Sequence, residues 1–211
     1  MSTRKVQQDL NISGFSPLKS NNQSNTPKSN TKSPSVKDYG IIEAIDTARE
    51  KLISGYDKWK IATSNGCQCI NIIHNIKEKA RKSGDTLYPA ELENYSKKLE
   101  SFIQVFQSVI FQVSTLVTQM RSSINILSTM NDNDELKYQI TIVEKFLIEL
   151  RSLYEKELKV KSYVIENIAH TNSTEDSYLL VTSWSCNSSS NEIYRLITQL
   201  KISPNDYKWC T

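Results

Sequence analysis

The chain is poor in residues that interrupt helices and in residues that bind metals. It contains 5 Gly, 5 Pro, 4 Cys and 2 His among 211 residues. So few Gly and Pro, with frequent Lys, Glu, Ile and Leu, favour long helices over a compact α/β enzyme. The cysteines stand at positions 67, 69, 186 and 210, which is the spacing of neither a zinc site nor a disulfide framework. We therefore expect a helical protein from a reducing compartment.

Catalytic and phosphate-binding motifs are missing too. The sequence has no Gly-rich phosphate loop, no His-Glu-x-x-His pair and no nucleophile elbow. No apolar run approaches the roughly 20 residues of a bilayer-spanning helix, and no signal peptide is apparent. The tyrosines are dispersed and form no stacking platform for bases. We expect a protein that is not an enzyme, uses no metal or cofactor, does not span a membrane and does not bind nucleic acid directly.

Positive charge is concentrated in an N-terminal segment. Residues 1–37 hold six Lys or Arg and one Asp, which is +5, whereas the whole chain carries +3. This segment is rich in Ser, Asn and Thr without apolar periodicity, so we expect a disordered basic tail. Ser16, Thr26 and Ser33 each precede a proline and are candidate phosphorylation sites. Because each phosphate adds roughly −1.5 to −2 charges, three would cancel or reverse the charge of the tail.

Helical periodicity begins at residue 38. Apolar and small residues recur at alternating steps of three and four over five heptads. Gly55 and Gly66 lie within this helix and each costs about 1 kcal/mol of helix propensity, which close packing or a local break would explain. Gly84 is placed to end the helix as its C-cap. A second helix begins near Pro89 and carries three apolar columns.

A third long helix and shorter elements follow. Asp132 and Glu135 form a capping box at the start of the third helix, and the step from Tyr154 to Leu158 predicts a stutter. A short helix containing Trp184 comes next. We predict an all-α fold in which three long helices form a coiled-coil-like antiparallel bundle. The expected divisions are a tail over 1–37, the bundle over 38–170 and a small C-terminal helical region over 171–211.

The end of the third helix resembles the signature of a known family. Residues 154–171 read YEKELKVKSYVIENIAHT, and LLVTSW follows at 179–184. These segments are similar to the C-terminal signature of the cyclin-dependent kinase 2-interacting protein family, Tyr-x-Lys-Glu-Leu-x-x-Lys-x-x-Val, then an aliphatic residue with Ala-His-Thr, then a Trp. The matching residues are Tyr154, Lys156, Glu157, Leu158, Lys161, Val164, Ile168, Ala169, His170, Thr171 and Trp184.

The first helix carries a second matching block. Residues 58–77, KWKIATSNGCQCINIIHNIK, resemble the family's Lys-Trp pair, a later Gly, and Asn-x-Ile-x-Asn-aliphatic-Lys. The family's aromatic-rich loop before the third helix is replaced here by NDND at 131–134. The rest of the chain matches only in pattern. The residues that match in this block are Trp59, Gly66, Asn71, Ile73, Asn75, Ile76 and Lys77.

The resemblance implies a non-enzymatic nuclear adaptor. Family members are described as linking cyclin-dependent kinase 2 and the cell-division-cycle 7 kinase at replication origins, and as acting in checkpoint signalling through the kinase ATR. They are also described as subunits of an AAA ATPase assembly that acts in replisome turnover and in maturation of the large ribosomal subunit. Two alternatives remain open, a coiled-coil subunit of a cytoskeletal or tethering complex, and a metal or hydrolytic enzyme using His170.

Candidate partner-binding residues cluster at the end of the third helix and at two tryptophans. We expect Glu157 and Lys161 to pair on a solvated face, together with Lys156 and Lys159. We expect His170 to cap the last carbonyls of the helix, because the helix dipole favours a cation there. Trp59 is expected in the core, whereas Trp184 suits the core and a partner anchor equally. The partner-binding candidates are Tyr154, Leu158, Lys161, His170, Trp184 and Trp59, and we expect substitutions in the stretch 153–171 to release partners and leave the fold intact.

Overall fold

A computed structural model describes residues 36–84, 88–130, 134–186 and 188–202. This part of the chain contains helices and no strands, so the predicted all-α fold is confirmed. Ser16, Thr26, Ser33, Asp132 and nearly all of the 1–37 segment lie outside the described residues. The helices are α1 (Val36–Ser83), α2 (Glu91–Met130), α3 (Asp134–Ile168), α4 (Thr174–Ser185) and α5 (Ser188–Ile202).

The helices form an antiparallel bundle in which four segments alternate in direction. α2 packs along both α1 and α3, while α1 and α3 contact each other much less. The Trp59 ring lies 4.4 Å from the Phe106 ring, and Gln112 bonds the Lys51 carbonyl, so α1 and α2 run in opposite directions. α4 and α5 return along the groove between α1 and α3 and fill the fourth position. The C-terminal helices therefore share one hydrophobic core with the long ones.

The apolar periodicity of α1 becomes its buried face. The helix runs unbroken through both glycines to Ser83, and Gly84 follows it with a φ of +73°, as predicted for a C-cap. Of the two explanations for Gly66, close packing is therefore the one that holds. The buried apolar side chains of α1 are Ile45, Ala48, Leu52, Trp59, Ala62, Cys69, Ile70, Ile73 and Ala80.

α2 is the most apolar of the three long helices, and no charged residue interrupts it between Glu100 and Arg121. By length and composition alone it is able to cross a membrane, which differs from the expectation drawn from the sequence. Ser, Thr and Gln interrupt the apolar run, but the mean hydropathy of the helix stays high because this stretch has no charged residue. In the bundle its apolar columns face α1 and α3, while Phe111 points outward and is 75% exposed. The buried residues are Leu92, Leu99, Phe106, Val109, Val113, Leu116, Val117, Met120 and Leu127.

Candidate functional site

The two matching blocks meet in the structure, although they are far apart in the sequence. The Trp59 ring of α1 lies 4.4 Å from the Tyr154 ring of α3. The Lys77 ammonium, at the end of the matching block in α1, donates a hydrogen bond to the Ala169 carbonyl just beyond α3. Trp184 of α4 packs over Gly66 of α1. The residues that carry the resemblance thus hold α1, α3 and α4 together.

Trp184 is a core residue and fixes α4 to α1. Its side chain is 1% exposed, and its indole Nε1 donates to the Thr63 carbonyl at 2.9 Å. A Cβ atom added to Gly66 would lie 2.2 Å from Cζ2 of Trp184, which no side chain allows. Glycine at this position therefore lets the indole reach the backbone of α1 and bond to it.

Glu157 and Lys161 form a buried ion pair, so the prediction of a solvated face is wrong for these two residues. Lys161 Nζ lies 3.2 Å from Glu157 Oε1, and the side chains are 0% and 1% exposed, respectively. The predicted i,i+4 pairing itself is confirmed. Lys156 and Lys159 are exposed, as expected.

The burial of this pair follows from the heptad register of α3. Its innermost residues occur at 147, 150, 154, 157, 161, 164 and 168, which are alternating steps of three and four. The register therefore continues through Tyr154 without the predicted stutter, and two charged residues occupy core positions. Leu158 lies beside this line and is half-buried.

Aromatic rings and backbone enclose the Lys161 ammonium. It lies 4.3 Å from the centroid of the Trp184 ring and 5.6 Å from that of Phe106, and it contacts the Trp184 carbonyl at 3.5 Å. Removal from water lowers the pKa of Lys161, and the Glu157 charge opposes that shift. The Glu157 carboxylate and the negative faces of the Trp184 and Phe106 rings stabilise the Lys161 cation in the core.

Polar atoms on the other side of Glu157 are incompletely bonded. Oε1 also accepts from Ser190 at 3.3 Å, while Oε2 and the Tyr154 hydroxyl have no hydrogen-bond partner in the described structure. A cavity of about 270 Å³ adjoins Glu157 and is lined by residues of α1, α3 and α5 that include Trp59, Thr63 and Ile193. The ion pair is thus shielded on its aromatic side and adjoins a cavity on the other.

Tyr154→Phe is expected to leave stability unchanged at pH 7 or to raise it by up to about 1 kcal/mol, because it removes an unpartnered buried hydroxyl. Burial, followed by the Glu157 charge, raises the pKa of Tyr154 above its ordinary 10.0. Above that pH the unfolded chain loses the phenolic proton first, so the wild-type protein loses stability and the variant lacks this loss. Urea unfolding at pH 7 and at about pH 11 tests this. If the wild type and the variant lose equal stability between the two pH values, the raised pKa of Tyr154 is contradicted.

The turn between α3 and α4 is held by cations from α1. Besides the Lys77 bond to Ala169, Arg81 donates to the carbonyls of Asn172 and Ser173 at 3.1 and 3.2 Å. The capping role predicted for His170 is therefore filled by Lys77, whose buried ammonium reaches the end of α3 from the neighbouring helix. Burial lowers the pKa of Lys77, and the nearby Arg81 lowers it further.

The two histidines and the three cysteines that the structure describes do not converge. His74 Nδ1 pairs with the Ser177 hydroxyl at 2.7 Å, and Cys67 contacts the Ser185 hydroxyl at 3.4 Å, so both residues connect α1 to α4. His170 lies on the surface, with its ring 6.4 Å from that of Tyr88. Within the described ranges, no group of three or more His, Cys, Asp or Glu residues is arranged to hold a metal ion.

Only two of the six predicted docking residues reach the surface. Tyr154, Lys161, Trp184 and Trp59 are at most 3% exposed, so a partner of the folded protein cannot contact them directly. Leu158 is half-buried and His170 is exposed. Comparison with family models, curated proteins and solved structures found no match to this chain.

Proposed function

We propose that this protein is a non-enzymatic subunit of a nuclear assembly, acting as the cyclin-dependent kinase 2-interacting protein family is described to act. Its partners would be subunits of an AAA ATPase, together with cyclin-dependent kinase 2, the cell-division-cycle 7 kinase and the checkpoint kinase complex. The processes served would be DNA replication, checkpoint signalling and maturation of the large ribosomal subunit.

The observation that supports this proposal is the contact between the two matching blocks. If the resemblance were due to chance, the matching residues of α1, α3 and α4 would not be expected to contact one another. Here Trp59 packs on Tyr154, Gly66 accommodates Trp184, and Lys77 bonds the Ala169 carbonyl. The matching residues therefore describe one structural unit, the scaffold on which a docking surface is carried.

The buried charges suit a scaffold better than a catalyst. Lys161 is 0% exposed, and Glu157, at 1% exposed, borders only the cavity between α1, α3 and α5. General acid or base catalysis requires a group within hydrogen-bond distance of the reacting atoms. Their contacts instead join α3 to α4 and α5, since Lys161 meets the Trp184 carbonyl and Glu157 meets Ser190.

Affinity purification of the full chain, tagged at its own locus and expressed at its native level, tests the proposal. We expect AAA ATPase subunits or replication kinases in amounts comparable to the tagged chain. The matched control is the same tag on an unrelated helical nuclear protein. Recovery of cytoskeletal or tethering proteins at comparable amounts would instead establish the alternative of a coiled-coil structural subunit.

A further inference from the structure

The end of α3 and the adjoining face of α4 form a continuous surface groove, here called the α3–α4 groove. Two depressions, of about 420 and 490 Å³, adjoin each other and share Tyr163. The first follows the outer side of α3, and the second lies between α3 and α4. The lining residues that matter here are Glu155, Leu158, Tyr163, Glu166, Asp176 and Leu179.

Accessible apolar side chains lie along this groove, among the polar residues that make up most of the lining between α3 and α4. Tyr163 is 61% exposed and Leu179 is 62% exposed, and the half-buried Leu158 extends the same surface along α3. Large apolar side chains that lie together on a surface and are rimmed by polar residues mark sites of protein interaction. Both docking candidates that remain accessible, Leu158 and His170, line this groove.

The rim of the groove is acidic. Glu155, Glu166 and Asp176 line it, whereas Lys159 is its only Lys or Arg. Glu155 is paired with Arg151 of its own helix at 3.4 Å, while no ion pair to Glu166 or Asp176 occurs in the part of the chain that the structure describes. Carboxylates without a cation, beside exposed apolar side chains such as Tyr163 and Leu179, favour a partner that carries basic residues next to apolar ones.

The backbone of the groove determines how a partner is recognised. Its walls are helices, whose peptide groups are bonded within the helix, so an extended peptide cannot add as a strand. Recognition must therefore use side chains. The groove extends from Glu155 to Thr171, which at 1.5 Å per residue is about 24 Å, the length of a helix of about 16 residues.

We infer that the α3–α4 groove docks a basic amphipathic helix of a partner protein, with the partner's apolar residues over Tyr163 and Leu179 and its Lys or Arg residues at Glu166 and Asp176. This inference rests on the proposed function, because it gives the surface through which the subunit joins its assembly. The scaffold residues, such as Lys161, and the α3–α4 groove lie on opposite sides of the same segment of α3, so the two can be altered separately.

Site-specific photo-crosslinking in the full chain at its native level locates the partner. A photoreactive residue replaces Tyr163 or Leu179, with Phe111 as the matched control because it is 75% exposed on α2. We expect the groove positions, and not position 111, to crosslink to one partner within a helical segment containing Lys or Arg. Crosslinks to a second copy of this chain, to an acidic segment, or from position 111 alone would overturn the inference.

Reversing the charge of groove residues tests whether the acidic rim contributes to binding, and the same purification measures how much partner is recovered. Glu166→Lys combined with Asp176→Lys should reduce recovery of the partner about tenfold or more, whereas Glu43→Lys with Glu50→Lys, at exposed sites on α1, should not. Thermal melts that agree between the two variants show that the fold is retained. Full recovery with the groove variant overturns the inference and leaves the proposed function standing. Absence of any stoichiometric partner from the wild-type chain overturns both.

Discussion

Gly66→Ala is expected to lower the free energy of unfolding by about 3–5 kcal/mol, the range found when a buried tryptophan is truncated. The new methyl carbon would lie 2.2 Å from Cζ2 and 3.0 Å from Cε2 and Cη2 of Trp184. The indole must leave its site and lose its bond to the Thr63 carbonyl, and α4 then separates from α1. Urea unfolding followed by far-ultraviolet circular dichroism measures the loss.

Two glycines of the same helix serve as matched controls. No atom lies within 4 Å of the position that a Cβ atom would take at Gly40, so Gly40→Ala should stabilise the helix by up to about 1 kcal/mol. At Gly55 the nearest atoms, on Val109 and Gln112, are 3.5 Å away, an ordinary contact that Ala should tolerate. If Gly66→Ala proves as stable as Gly40→Ala, Trp184 does not pack on α1 as described.

Lys161→Met is expected to cost about 3–5 kcal/mol, because it leaves the Glu157 carboxylate in the core without its cation. The pair lies at 3.2 Å with side chains at most 1% exposed, so bulk solvent does not reach the remaining carboxylate, which borders only the adjoining cavity. Adding Glu157→Leu should recover most of this loss, since an apolar pair of similar volume is often as stable as a buried ion pair. The coupling between the two sites is measured by a double-mutant cycle from urea unfolding.

Lys159→Met is the control for this experiment. Lys159 is exposed on the same helix, so its loss should change the stability by no more than about 0.5 kcal/mol. Additive effects of Lys161→Met and Glu157→Leu, without recovery in the double variant, would show that the two residues do not form a coupled pair.

Local patterns in the sequence were sufficient to predict the helices and most of the core. The steps of three and four in α1 correspond to its buried face, and Gly84 ends that helix with a positive φ. These features depend on residues within a few positions of one another. The same pattern through α3 also contained the signal for the buried ion pair, because positions 157 and 161 continue the register of 150 and 154. The charges of Glu157 and Lys161 favour a surface position, whereas the register places both residues in the core.

Features that depend on distant segments could not be predicted in this way. Lys77 reaches Ala169 and Arg81 reaches Asn172, each across about ninety residues, and no local pattern identifies a lysine as the cap of another helix. His170 was favoured for this role because it lies at the end of the helix in sequence. Likewise, α4 has a weak apolar pattern and α5 a clear one, but neither pattern identifies the two helices as the fourth segment of the bundle.

The structure changes where docking is expected along the segment 154–171. Tyr154 and Lys161 point inward and hold the scaffold together, so their substitution tests folding and not binding. Tyr163 and Glu166, which follow Lys161 on the outer side of the same helix, line the α3–α4 groove. A variant at the groove can therefore separate loss of a partner from loss of the fold, which a variant at the matched core residues cannot do.

Native mass spectrometry of the assembly purified through the tagged full chain tests the central proposal most directly, because it reports which subunits are bound and in what ratio. We predict a particle in which this chain is present in a fixed ratio with AAA ATPase subunits. A chain recovered alone, only as a homo-oligomer, or in a fixed ratio with cytoskeletal or tethering proteins would contradict the proposal.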